Sequence, residues 1–231
     1  MLTFIGVSHI DPNGRRRLDR ALETTGPEII LLEVSVLSVL LRRSLGKLYR
    51  YVFSRNHLRA GVTENPEIRI IKNYLSVPYE YDAVREYCRR RGARYMLIDS
   101  SLLTMLRYPG VWRLITRKNI ETAAGITDDR FAREWAVAAR VFGGSDPLLA
   151  KGATPAYRPL AAALRSDRIG AWRESVLVRR VRKALARHQG KRIVCVGGWE
   201  HCVDDPDKLV LYARVDGPKQ RIIAFLKRCE L

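Results

Sequence analysis

Four polar side chains stand at or just past the ends of short apolar runs, and their types are those that do chemistry together. They are His9 after Leu2–Val7, Glu33 within Glu28–Val34, Asp99 closing Arg94–Asp99, and His201 beyond Lys191–Gly198. The two histidines share a frame, Gly6-Val7-Ser8-His9 near the start and Gly198-Trp199-Glu200-His201 near the end. Glycine at a strand end permits a tight turn and close backbone approach. Two imidazoles and a carboxylate (His9, His201 and Glu33) form a competent ligand set for a divalent ion such as Zn, Mn, Co or Fe, which would lower the pKa of a bound water toward neutrality. Without a metal, one histidine would act as general base with the carboxylate orienting it. Quieter roles exist for each residue. A strand-end histidine is commonly a satisfied turn residue. Glu33 follows four apolar residues and needs a cation, a donor or a metal, and an arginine would serve. Asp99, before Ser100-Ser101, suits a helix cap.

The elements that must carry these residues follow from apolar periodicity. Leu2–Val7 has strand length, Asp11-Pro12-Asn13-Gly14 marks a turn, and Leu18, Ala21 and Leu22 fall at helical spacing before Gly26-Pro27. Glu28–Val34 is a second strand, so the first thirty or so residues spell a βαβ unit with a parallel crossover. Ser35–Val62 reads as a basic helix with Leu37, Leu40, Leu41, Leu45 and Leu48 as its apolar stripe, and Ile68–Leu75 is ambiguous. Tyr79–Arg91 predicts a helix ended by Gly92, Arg94–Asp99 a third strand, Ala171–Gln189 an amphipathic helix and Lys191–Gly198 a fourth strand. Lys208–Val215 and Gln220–Lys227 flank Asp216-Gly217-Pro218-Lys219 and predict a β-hairpin at a sheet edge. The expected fold is a single α/β domain over residues 1–231. Its mostly parallel central sheet is flanked by helices, with a helical insertion at about 100–170 and the C-terminal hairpin. Ligands of such sheets bind at the carboxyl ends of the strands, where all four polar residues fall.

Composition bounds the function. With 42 Lys and Arg against 24 Asp and Glu the formal charge is +18, which favours polyanions without specifying a fold. The basic clusters Arg15–Arg17, Arg42-Arg43, Arg89–Arg91 and Arg179-Arg180 lie in separate predicted helices, with no RRM, KH or zinc-finger signature. Cys88, Cys195, Cys202 and Cys229 form no C-x-x-C pair, which speaks against a disulfide scaffold or a structural zinc. The longest apolar stretch, Ile29–Leu41, contains Glu33 and is too short to span a bilayer. No signal peptide is visible, and a cytoplasmic location is expected. Walker A, Gly-x-Ser-x-Gly, Gly-x-Gly-x-x-Gly and His-Glu-x-x-His motifs are all absent, against P-loop NTPases, common serine hydrolases, classical dinucleotide enzymes and zincins.

In order and spacing these motifs resemble the TraB/PrgY family, within the wider group of Tiki proteases, erythromycin esterases and ChaN-like proteins. Gly6–His9 is similar to that family's opening Gly-Thr-x-His turn, and Pro27–Glu33 to its Pro-Asp-x-Val-x-x-Glu strand. Tyr79–Ala83 with Ala93–Asp99 resembles its acidic helix start and following strand, Arg173-Glu174 its Arg-Asp pair, and Gly197–His201 its closing turn. The chain departs from the pattern where Asp99 precedes Ser100-Ser101 rather than Arg-Asp, and where Trp172 precedes Arg173. The resemblance implies a peptidase- or esterase-like site with His9, Glu33 and His201 as metal ligands or acid/base groups. In it Arg173 would neutralise Glu33 or hold an anionic intermediate, and Glu80 would be a further member. Gly6, Gly198, Glu80 and Asp99 would line a bound group. The expectation is thus a hydrolase acting on a peptide or ester bond. Two other classes stand beside it, a basic nucleic-acid-binding protein and a non-catalytic ligand-binding protein of the same fold.

Overall fold

The computed structural model describes residues 2–102, 110–127, 132–134, 136, 168–202 and 219–224. These belong to two compact units. The first comprises the chain to Val34, Tyr79–Ser100 and the part from Trp135 onward; the second comprises Ser35–Pro78 and Ser101–Glu134.

The first unit is built on five strands, β1 (Leu2–Val7), β2 (Ile29–Leu32), β3 (Arg94–Leu97), β4 (Ile193–Gly198) and β5 (Lys219–Ala224). They form one sheet in the order β3-β2-β4-β1-β5 with every pairing parallel. β1, β2 and β4 are buried along their whole length, as strands covered on both faces must be. Each fully buried side chain such as Phe4, Ile5 or Leu31 stabilises the sheet by about 1.5–3 kcal/mol. Helix α1 (Gly14–Thr25) links β1 to β2 and turns out of its last turn at Gly26, whose φ of 56° is left-handed. Glycine takes that conformation without a Cβ penalty.

The predicted βαβ crossover is parallel, but its two strands are not neighbours. β4 enters between them, with Leu2 opposite Ile193 on one side and Ile29 opposite Ile193 on the other. Ile193, Val194, Cys195 and Val196 are all buried, and a central slot removes both faces of this apolar strand from water. The predicted hairpin differs from what is observed. Residues 219–224 pair with β1 in parallel, and its other arm, 208–215, lies outside the described residues.

In the second unit, Ser35 caps α2 (Val36–Ala60), its side chain accepting from the Ser38 N–H, and Asn65 caps α3 (Pro66–Tyr74) by accepting from the Ile68 N–H. Its core gathers Tyr49, Phe53, Ile68, Ile71, Leu75, Val111, Ile115, Ile120 and Ala123. The predicted apolar stripe of α2 is corrected here. Val39, Gly46, Tyr49 and Phe53 face inward, whereas Leu40 and Leu48 are exposed. Leu45 of the predicted stripe packs against this core and Leu37 and Leu41 are half-buried, so the inward face is shared with Tyr49 and Phe53 and only Leu40 and Leu48 fall outside it. Of the expected insertion, 111–114 and 117–124 are helical as α5 and α6; most of the remainder lies outside the described residues. In the first unit, α4 (Tyr79–Arg91) precedes β3, and α7 (Arg168–Arg187) precedes β4.

Candidate functional site

The order of the strands sets the order of the polar residues along the carboxyl edge. Asp99 lies past β3, Glu33 past β2, His201 past β4 and His9 past β1. Backbone pairing continues beyond β2, with the Glu33 N–H donating to Val196 O at 2.9 Å, which fixes the glutamate beside the end of β4. Its buried carboxylate then accepts three donors. Arg173 Nη2 lies 2.5 Å and His201 Nε2 3.0 Å from Oε1, and the Gly198 N–H donates to Oε2 at 2.8 Å. A Cβ on Gly197 would overlap Glu33 Oε2, and one on Gly198 would come within 2.7 Å of Glu200 Oε1. Gly197 is therefore needed for close approach rather than for an unusual backbone angle, whereas at Gly198 only the movable, part-exposed end of Glu200 would be met. Parallel register sets Gly6 opposite Gly197 and Val7 opposite Gly198, so the two Gly-x-x-His frames are offset by one residue in space.

Arg173, on α7, forks between acids. Nε and Nη2 donate to the two Asp99 oxygens at 3.0 and 2.9 Å while Nη2 also reaches Glu33, the planar two-point match that guanidinium makes with carboxylate. Asp99 thus holds the arginine as well as accepting from the Ser100 N–H at 2.7 Å. The next residue of α7, Glu174, is buried and pairs with His201 Nδ1. His201 therefore presents Nε2 to Glu33 and Nδ1 to Glu174, with the ring almost wholly enclosed.

His9 is set by the same device. Its Nδ1 lies 2.7 Å from Oε1 of Glu80, a residue only 2% exposed at the start of α4, while the His9 side chain is 52% exposed. The turn that carries it is locked by Tyr79, whose hydroxyl donates to Ser8 O at 2.9 Å, and by Asp11, which accepts from the Asn13 N–H and from Arg17 Nη1. Gly14 packs directly against the Tyr79 ring.

Electrostatics follow from this crowding. Burial alone would raise the Glu33 pKa, but the charges of His201 and Arg173, the His201 hydrogen bond and the charge of His9 together hold it well below the usual carboxylate range. Burial opposes a charge on His201, and Glu33 and Glu174 outweigh it, so the imidazole stays protonated well above 6.5. For His9, loss of hydration is likewise outweighed by Glu80, with smaller contributions from Glu33 and Glu200, and the pKa rises to about 9. Both histidines are imidazolium at neutral pH. The buried Cys195 thiol is pushed up by burial and by Glu33 and Glu174, so it is no nucleophile. Among the described residues, five carboxylates (Glu33, Glu80, Asp99, Glu174 and Glu200) and four cations (His9, His201, Arg173 and Arg180, the last donating to the Ile98 and Asp99 carbonyls) meet along this edge.

A divalent ion would draw on His9, Glu33 and His201, and carboxylate-backed imidazoles are the usual companions of a metal. In the arrangement described, Arg173 and His201 already occupy the Glu33 oxygen that such an ion would need. Among the described residues no group of three or more His, Cys, Asp or Glu side chains is arranged to hold a metal ion. As they stand, these side chains do not fit a metal.

Of the residues singled out from the sequence, Glu33, Arg173, Asp99 and His201 form one contiguous hydrogen-bonded chain. His9 and Glu80 form a separate pair, and the His9 charge is felt by Glu33. Gly198 joins the first group through its backbone, and Gly6 lies in β1 opposite Gly197. Sequence reasoning missed Glu174 as a site member, although its spacing from Leu177, Val178 and Val181 places it on the buried stripe of α7. No family model, curated protein or solved structure matches the chain.

Proposed function

We propose that the chain is a hydrolase of peptide or ester bonds, working at the carboxyl edge of the sheet with His9 as its proton donor. The observation that carries this reading is the duplicated tether. Each histidine has its Nδ1 paired with a buried glutamate from a helix, Glu80 or Glu174, and such second partners serve to fix the direction of the ring. Only one of the two rings is accessible. His201 is enclosed between carboxylates and holds the edge together, whereas half-exposed His9, with a pKa of about 9, carries a proton at neutral pH. In this reading it gives that proton to the departing amine or alkoxide and lends its charge to the oxyanion that precedes it. Glu200, part-exposed and 4.0 Å from His201 Nε2, takes the proton from the attacking water. The Asp99–Arg173–Glu33–His201 chain keeps the edge from moving.

A panel of peptides and esters, assayed on protein whose metal content has been measured and then stripped with chelator, tests the reading. Hydrolysis should survive chelation, and His9→Gln and Glu200→Gln should each lower kcat/KM by roughly 10²–10⁴. Undiminished turnover in His9→Gln would refute it. Loss on chelation with recovery on adding Zn, Mn, Co or Fe replaces it with a metal-dependent form. Ligand binding without turnover establishes a non-catalytic binding protein.

A further inference from the structure

Helix α2 of the second unit has two unlike faces. Val39, Gly46, Tyr49 and Phe53 are buried, and Tyr49 and Phe53 belong to that unit's core. On the other side, Val36 and Leu40 are each 54% exposed, Tyr51 64% and Leu58 80%. Separations of four, eleven and seven residues return side chains to one side of a 3.6-residue helix, so these four lie along a single outward strip, interleaved with exposed Ser44, Lys47 and Ser54. Arg43, Lys47, Arg50 and Arg55 are exposed on the same half of the helix, with exposed Arg59 just past its edge. Its 25 residues contain six Lys or Arg and no Asp or Glu.

We infer that α2 is an interfacial helix that lies on an anionic phospholipid surface. Cationic charge interleaved with spaced outward apolar side chains suits a helix in the plane of a headgroup layer, with the apolar side chains entering the acyl boundary and the basic ones meeting lipid phosphates and carboxylates. Exposed aliphatic side chains such as Leu58 and Leu40 distinguish this face from one built for nucleic acid, which takes up the phosphate charge and stacks its bases on aromatic rings. A second copy of the chain fits poorly, because two such faces would set cation against cation. The helix lies on the bilayer rather than crossing it, since no helix among the described residues is long and apolar enough to span a membrane.

Flotation with vesicles of phosphatidylcholine alone, or with about one third phosphatidylserine, tests this on the full chain. Binding is expected to the anionic vesicles only and to fall steeply as salt is raised. The triple variant L40S/Y51S/L58S should bind them at least tenfold more weakly with unchanged circular dichroism, since all three side chains are exposed. K47E/R55E, which leaves the apolar side chains intact, should lose at least as much, at roughly fivefold or more per charge. The inference is overturned if neither vesicle binds, if both bind equally, or if L40S/Y51S/L58S binds as well as the parent chain. It is also overturned if vesicles fail while single-stranded RNA is bound equally by parent and triple variant, or if the triple variant abolishes a dimer that shows no vesicle affinity.

Discussion

Raising the pH from 6 to 8 should make the protein easier to unfold, and His201 should be the main cause. In the native state this imidazole is enclosed between Glu33 and Glu174 and keeps its proton well above 6.5. In the unfolded chain it releases that proton near its ordinary value of about 6.5. Its stabilisation is therefore fully present below that value and is lost as pH rises toward the native pKa. Over this interval the native state binds nearly one proton more than the unfolded state. The free energy of unfolding then falls by about 1.4 kcal/mol per pH unit, a little over 1 kcal/mol between pH 7 and 8. Against a domain stability of order 5–15 kcal/mol this is readily measured. His9, raised to about 9, adds the same sign, reduced because water screens its half-exposed ring. The buried thiols of Cys88 and Cys195 and the Tyr79 hydroxyl are raised too, but their contributions begin at more alkaline pH. Glu33 acts in the opposite direction. Its pKa is depressed, so its stabilisation is present above the ordinary carboxylate range and is lost as pH falls below that range and through the native pKa. Stability should peak between about pH 5 and 6.5.

Urea titrations at half-unit steps from pH 5 to 8, followed by tryptophan fluorescence, read this directly, because buried Trp199 sits two residues before His201. His201→Gln is the control. It leaves Glu33 and Glu174 short of a cation and should cost about 3–5 kcal/mol at pH 6, while removing most of the slope between pH 7 and 8. A parent stability that stays flat or rises over that unit would refute the assignment of His201 as a buried imidazolium. So would a His201→Gln variant whose slope matches the parent's.

Two further outcomes probe the same geometry. Gly197→Ala places a methyl group on Glu33 Oε2, a buried oxygen whose carboxylate is pinned by Arg173, His201 and the Gly198 N–H, so it should cost about 1–3 kcal/mol. Gly198→Ala meets only the part-exposed end of Glu200 and should cost less. Equal melting-temperature losses for the two variants would contradict this account. Glu80→Gln should bring the His9 pKa down from about 9 toward 6.5, followed as a ring-proton NMR titration, because Glu80 is the leading source of its elevation. A His9 pKa that stays put would remove Glu80 from its orienting role.

Strand ends were the legible part of the sequence. Leu2–Val7, Glu28–Val34, Arg94–Asp99 and Lys191–Gly198 each predict an apolar strand closing near a polar residue, and β1 to β4 lie within or on those runs. Parallel pairing then brings the four polar residues to one edge by topology alone. The insertion of β4 between β1 and β2 was not legible, because strand order depends on packing between segments far apart in the chain. The partner of each carboxylate was hidden for a similar reason. Asp99 has the local grammar of a helix cap, and only the docking of α7 gives it the Arg173 guanidinium. On α2 the leucine periodicity was misleading at Leu40 and Leu48, since Tyr49 and Phe53 share in deciding which face turns inward.

The two Gly-x-x-His turns look like duplicates, yet their surroundings assign them different work. An imidazole enclosed between two carboxylates gains so much from its proton that giving it up is costly, and His201 is in that position with no opening to solvent. Its value lies in joining β4 to the end of β2 and to α7. His9 has a single carboxylate at Nδ1 and more than half of its side chain in solvent, so its proton can leave and return within a turnover. The one-residue offset between the frames is the physical origin of this difference. Gly198, not Gly197, leads the second frame, so its backbone N–H reaches Glu33 and commits that turn to holding the sheet edge. The first turn makes no such bond among the described residues; it is held from behind by Tyr79 and Asp11, which leaves its histidine to face outward.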